Sequence, residues 1–223
     1  MESRKTVIIG AGGFAKEVYE VFTKVSNWNK DDNSQFLGFL DDNETLHGTE
    51  FMGSRVIGGI DWLSDNPKTE IILGIGSPHI KRKIIDKISK IGNFKYPTLI
   101  DPNAILGDDV RVGDGVFIGA GTIITTNIDI KDYVTINLSC TIGHDSVLES
   151  FVTVAPGVNI SGNCNLNEGV DFGTNATIIQ GKSVSEWSIV GAGSVVVKDI
   201  PSNVTVVGNP SKVIKEREVG WHL

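Results

Sequence analysis

From Leu106 to Val196 every sixth residue of the chain is apolar, and four places after each stands a second, mostly small or β-branched residue, from Val110 through Cys140 and Cys164 to Ala176. Lys182 breaks that second column. A period of six fits neither a helix nor an alternating strand, but suits a solenoid with short strands on three flat faces, one hexad to a face. Three hexads make a coil of eighteen residues; coils stacked at about 4.8 Å give roughly five coils in about 25 Å. The pattern predicts a left-handed parallel β-helix.

The first hundred residues follow different periods. Val7-Ile8-Ile9 is a short apolar strand, followed by Gly10-Ala11-Gly12-Gly13-Phe14-Ala15 and then Phe14, Val18, Val21, Phe22 and Val25 at helical spacing. A second strand, Phe36 to Leu40, ends in Asp41-Asp42, and a third, Ile71 to Ile75, runs into Gly76-Ser77-Pro78. Ile80, Ile84, Ile85, Ile88 and Ile91 mark another amphipathic helix, with Arg82 in its first turns. The fold class is thus a Rossmann-like α/β domain over residues 1–97, a β-helix over 98–200 and a capping segment over 201–223.

Strand, glycine turn and helix together match the GxGxxA form of a dinucleotide fingerprint, in which the backbone approaches a pyrophosphate at a helix N-terminus. Gly10, Gly12, Gly13, Phe14, Asp41, Asp42, Gly76, Ser77 and Arg82 are therefore nucleotide-binding candidates. NAD is a poor choice, because a domain of about 95 residues brings no second domain with hydride chemistry. A nucleotide that forms part of a substrate suits it better.

Charge and composition narrow the class. A formal charge of −7 argues against a general nucleic-acid binder, while leaving room for a local basic patch. No stretch approaches a membrane span or a secretory leader, so a cytoplasmic protein is expected. Cys140 and Cys164 fall in the inward column on different walls of the prism, so no disulfide is expected.

Of four histidines only His144 lies in the hexad region, in Gly143-His144-Asp145. With Ile142 pointing inward, His144 falls near a corner, and an imidazole beside a carboxylate is the equipment of a general base. Eighteen residues on stands Gly162, one coil higher, whose N–H could meet a developing oxyanion. A zinc-dependent hydratase of this fold would need three ligating histidines, so no metal is expected. A non-catalytic scaffold would have no use for His144-Asp145.

The glycine turn, Gly38-Phe39-Leu40-Asp41-Asp42, Ile75-Gly76-Ser77-Pro78, Asn137 with Ile142-Gly143-His144-Asp145, Ala155-Pro156-Gly157, Gly191-Ala192-Gly193-Ser194 and Gly208-Asn209-Pro210 together resemble bacterial sugar acetyltransferases. The nearest-looking members N-acetylate nucleotide-linked 4-amino-4,6-dideoxy sugars of the bacillosamine and perosamine type. The resemblance implies a homotrimer, acetyl-CoA in a groove between two β-helices, and a nucleotide-activated amino sugar held by the N-terminal domain. It implies His144 as base, Asp145 as its orienting partner, and Asn137 and Thr153 at the acceptor. It also implies Gly173, Ile178, Gly191, Ala192, Lys198, Asn209, Pro210 and Lys212 at acetyl-CoA. Thr153 stands where many relatives carry a second histidine, so the proton falls to His144 alone. Lys198, Lys212, Lys215 and Arg217 are candidate phosphate contacts; the alternative is a solvated terminal helix plugging the last coil. An O-acetyltransferase acting on sialic acid or a similar free sugar is the rival reading. Outward residues Val147, Phe151, Thr153, Ile179 and Val195 are expected to supply apolar surface for assembly.

Overall fold

The computed structural model describes residues 4–28 and 34–223. Its N-terminal part is a parallel sheet of β1 (Arg4–Ile9), β2 (Ser34–Leu40), β3 (Glu50–Phe51), β4 (Ser54–Gly58) and β5 (Glu70–Leu73), ordered β3-β4-β2-β1-β5. Only the β3/β4 hairpin is antiparallel. Helix α1 (Gly13–Trp28) follows β1, and α2 (Pro78–Ser89) follows β5 with Pro78 at its first turn, where a missing N–H costs nothing. Val7, Ile8, Ala15, Val18, Phe39 and Ile71 are wholly buried, each side chain contributing about 1.5–3 kcal/mol where it is a large aliphatic or aromatic group. The hairpin leaves no mark in the sequence pattern, because β3 is two residues long, too short to show a period.

The hexads fold as a β-helix of three parallel sheets. The first face runs from Leu99–Ile100 through Phe117–Ile118, Thr135–Ile136, Thr153–Val154, Asp171–Phe172 and Ile189–Val190 to Val204–Val207. The second carries six strands from Ile105–Leu106 to Val195–Val196, and the third five from Val110–Val112 to Ser183–Val184. Register is eighteen throughout the body, as in Ile124 beside Ile142 beside Ile160. Both predicted inward columns form one continuous core, in which Ile118, Ile142, Cys140, Cys164, Phe172 and Val190 have no exposure. The two cysteines are free thiols, and burial raises the pKa of each.

Each corner is turned by a residue in the left-handed region, and these too recur every sixth place, from Asp109 through Gly115, Gly121 and Asn127 to Gly193. Gly, Asn and Asp accept that backbone readily; aromatic residues do not. Tyr133, Phe151 and Trp187 do so at one corner, between the third and first faces, where they form an aromatic column with Tyr96. Gly169 belongs to that column because a β-carbon there would fall 2.2 Å from the Trp187 ring.

The C-terminus rules out the alternative of a terminal plugging helix. Lys212–Glu216 is an exposed strand antiparallel to Val204–Val207, so the segment extends the first face. The chain then turns back: the His222 ring stacks on Trp187 at 3.7 Å and 2°, and Arg217 lies over Trp221. Packing against these groups, with the positive charges of Arg82 and Lys83 and the His79 imidazole close by, lowers the pKa of His222.

The N-terminal domain covers the first face. Phe14 meets Phe117 edge to face at 5.2 Å, and the Thr153 hydroxyl donates to the Gly76 carbonyl at 2.7 Å. Lys81, 1% exposed, reaches across from α2 to the Tyr133 carbonyl (2.7 Å) and the Thr135 hydroxyl (3.0 Å). Burial lowers its pKa to about 7, against the opposing pull of Asp171, while burial raises Asp171 to about 6. Phe151 and Thr153, expected to face a partner, are instead buried within the chain by this docking.

Candidate functional site

His144 stands at the corner between the second and third faces, just after the strand Thr141–Ile142. Its Nδ1 lies 2.7 Å from Asp145 Oδ2. A carboxylate only accepts, so this contact puts the imidazole proton on Nδ1 and leaves Nε2 with a free lone pair. The His144 hydrogen bond, seconded by one from Asn127, holds the Asp145 carboxyl below its ordinary pKa. Both side chains are half-exposed and open to an incoming substrate.

Gly162 seats the ring. A β-carbon there would lie 2.6 Å from His144 Nε2 and 2.7 Å from Cε1, so only glycine lets the imidazole lie flat across the next coil. Among the described residues no protein acceptor takes the Gly162 N–H. Asn127, one coil below and unsuspected from the sequence, donates from Nδ2 to Asp145 Oδ1 at 2.6 Å. The coil spacing that led to Gly162 leads equally to Asn127, eighteen residues before Asp145.

Asn137 is in the same coil but at the other edge of the second face, so the structure does not bring it to His144 of its own chain. Its Oδ1 accepts from the Leu138 N–H at 2.7 Å. It shares its corner with Gly173 and Gly191, placed eighteen apart. A β-carbon on Gly173 would meet the Ala192 nitrogen at 2.5 Å, and one on Gly191 would meet Val207 Cγ1 at 2.7 Å, so both glycines are demanded by coil stacking. Ala192, Lys198, Asn209, Pro210 and Lys212 are exposed. The loop after Gly208 is tied to the last strand of the second face, Val195 donating to the Gly208 carbonyl and Ser211 to that of Val195. Ile178 is a correction: it belongs to the inward column, has no exposure and cannot touch a ligand.

The glycine turn divides its labour. Gly10 turns the chain at φ 101°, with Ile75 2.8 Å from any added β-carbon, whereas Gly12 and Gly13 face open space. The Phe14 ring lies beside Gly76, and Ser77 occupies the N-cap position of α2, its hydroxyl turned to His79 Nδ1 at 2.8 Å rather than to the helix backbone. Three candidates are otherwise engaged. Asp41 accepts from the Ala11 and Asn43 N–H groups, each at 2.9 Å. Asp42 accepts from Ile60 N–H and from Lys87; against the burial that would raise it, these bonds hold its pKa below the usual value. The two carboxylates thus shape the loop around the turn. Arg82, expected at a nucleotide, points to the β-helix, bonded to Glu168 at 2.6 Å and lying over Phe151.

A β-helix of hexads with an imidazole–carboxylate pair at one corner, docked to an α/β domain with an open glycine turn, defines a hexapeptide-repeat acyltransferase with a second, α/β domain. Residues 5–88 match the PglD N-terminal domain, and residues 98–126 match the bacterial transferase hexapeptide (six repeats). The acetyltransferase domain of PglB from Neisseria gonorrhoeae is 33% identical, superposes with a TM-score of 0.83, and is covered completely by 95% of this chain. PerB from Caulobacter crescentus, solved in complex with CoA and GDP-perosamine, is 28% identical with a TM-score of 0.82 over 95% of this chain and 97% of that one. GDP-perosamine N-acetyltransferase from Escherichia coli O157:H7 is 26% identical over 93% of this chain and 95% of its own length. The chain belongs to the nucleotide-sugar N-acetyltransferase family.

Proposed function

We propose that the protein transfers the acetyl group of acetyl-CoA to the amine of a nucleotide-linked amino sugar, with His144 as general base. The observation that carries this reading is the His144 imidazole, held through Nδ1 by Asp145 with Nε2 seated over Gly162. Nε2 takes a proton from the sugar amine as its nitrogen attacks the thioester carbonyl, and the new C–N bond forms. The carbonyl oxygen gathers negative charge, which the Gly162 N–H stabilises. The intermediate then collapses, the C–S bond breaks, and the proton on His144 leaves with the CoA thiolate. The acetyl group is passed directly, with no acyl-enzyme.

The sugar's nucleotide lies at Gly12 and Gly13, where the backbone is open, with Gly76 beside them under the Phe14 ring, and acetyl-CoA lies along the corner of Gly173, Gly191, Ala192 and the Asn209-Pro210 loop. In one chain that corner and His144 flank opposite edges of the second face, and the N-terminal domain covers the first. A homotrimer resolves this, with each groove combining the His144 corner of one chain with the glycine corner of the next. Exposed Ile105 and Ile123 on the second face, with Leu138 and Ile179 beside it, suit such burial.

The test is an acetyl-CoA assay over a panel of UDP-, dTDP- and GDP-linked 4-amino sugars with free sialic acid alongside. Turnover of one nucleotide-linked amine, lost by at least about 10²-fold in His144→Ala at unchanged acetyl-CoA affinity, supports the reading. Turnover of sialic acid alone, or a His144→Ala enzyme within threefold of wild type, overturns it.

A further inference from the structure

Three consecutive coils contribute to the His144 corner, and the lowest of them supplies a group that the reaction scheme above does not use. The left-handed corner positions on this edge run Asp109, Asn127, Asp145, Asn163 and Gly181, one per coil. Carboxylate and amide alternate through the first four. Asp145 therefore has an amide residue in the coil on either side, and no second carboxylate is stacked directly against it. Of the two amides, Asn127 makes the contact: its Nδ2 donates to Asp145 Oδ1 at 2.6 Å. Asn163 instead uses its backbone N–H, donating to the His144 carbonyl at 2.7 Å.

A carboxylate on an exposed corner turns freely about its last bond, and either oxygen could face the imidazole or water. Asn127 removes that freedom by claiming Oδ1, which leaves Oδ2 directed at Nδ1. Fixing the carboxylate fixes the tautomer, and fixing the ring edge keeps Nε2 over Gly162. The contact runs between charged acceptor and neutral donor, the stronger kind of hydrogen bond.

We propose that Asn127 is a positioning residue for the acetyl transfer, the outermost member of a relay in which Asn127 orients Asp145, Asp145 orients His144, and Gly162 seats the ring. The inference rests on His144 being the base. The backbone supports it independently of chemistry: Asn127 turns its corner at φ 53°, a conformation that glycine adopts at Gly181 and aspartate at Asp109 and Asp145 of the same column. Substituting either residue at Asn127 therefore removes the donor without asking the coil to bend.

Asn127→Gly deletes the amide; Asn127→Asp keeps its shape but cannot donate and adds a like charge. Both variants should keep wild-type far-UV dichroism and KM for acetyl-CoA while kcat falls about 5- to 10-fold, the worth of one oriented hydrogen bond. In ¹⁵N-histidine-labelled protein without substrate, the His144 resonances should move from the Nδ1–H tautomer of the wild type toward a mixture. Wild-type kcat in both variants overturns the proposal, and so does an unchanged tautomer ratio. If instead His144→Ala retains activity, the base assignment fails, while the tautomer ratio still reports whether Asn127 orients the pair.

Discussion

His144 lies across the α-carbon of Gly162, one coil above it, so closely that a β-carbon there would stand 2.6 Å from Nε2 and 3.0 Å from Cδ2. Those are atoms at the free end of a half-exposed side chain, which can swing away at little cost. Gly162→Ala should therefore change Tm by no more than a degree or two while lowering kcat about 10-fold or more, because the displaced imidazole no longer faces the Gly162 N–H. Thermal melts beside steady-state kinetics check this. A variant that loses stability and activity in proportion would mean that Gly162 is needed only for coil stacking.

Gly12 and Gly10 belong to one motif but separate under substitution. Nothing lies within 4 Å of a β-carbon on Gly12, whereas one on Gly10 would meet Ile75 and sit at φ 101°. Gly12→Val should fold normally and raise KM for the nucleotide sugar steeply, with KM for acetyl-CoA nearly constant, since the side chain occupies only the open floor of the turn. Gly10→Val should instead reduce stability by about 1–3 kcal/mol. If both Michaelis constants of Gly12→Val rise together, the turn does not hold the nucleotide alone.

What was legible in the sequence follows from which interactions have a period. The hexad rhythm located both inward columns, the corner of His144 and, by coil arithmetic, its partner Gly162. Read consistently, the same rhythm excludes Ile178 from the CoA groove, since it is one of the sixth-place residues that fill the core. Asn127 was equally reachable, eighteen places before Asp145. Contacts between domains carry no such spacing: nothing in the order of residues pairs Lys81 with Thr135, Arg82 with Glu168, or His222 with Trp187. Thr153 shows the consequence. The motif around it suggested an acceptor contact, yet its hydroxyl bonds the Gly76 carbonyl and joins the two domains.

The buried charge on that joint sets a pH dependence of stability. Lys81 titrates near 10.4 when exposed in the unfolded chain and at about 7 in the fold. Between these values the unfolded state binds the extra proton, so this group's contribution to stability rises with pH above about 7. The gap in stability between wild type and Lys81→Met should widen in favour of the wild type by about 2–3 kcal/mol from pH 7 to pH 9. Asp171, raised to about 6, acts in the opposite sense and below that range, between about pH 6 and pH 4. Chemical denaturation of both proteins at pH 7, 8 and 9 measures the gap; a constant difference would show that Lys81 keeps its proton in the fold.

Assembly provides the last expectation. His144 and the Gly173/Gly191 corner lie at opposite edges of one face, with the N-terminal domain on another. If acetyl-CoA binds at the glycine corner as proposed, a catalytic groove needs two chains. Gly191 is unsuited to testing this, because any side chain there meets Val207, but Ala192 is exposed and adjacent. Ala192→Trp should block the CoA side of the groove and leave the coil intact. Neither His144→Ala nor Ala192→Trp should be active alone. In trimers assembled from equal amounts of the two, a groove works when it takes His144 from an Ala192→Trp chain and an intact corner from a His144→Ala chain. A trimer that holds both kinds of chain has one such groove in three, whichever kind is in excess, so the mixed trimers should recover about a third of wild-type activity. Differently tagged chains, purified over both tags and sized by light scattering, give the mixed species. A fully active monomer, or verified mixed trimers without recovered activity, would refute a groove shared between chains.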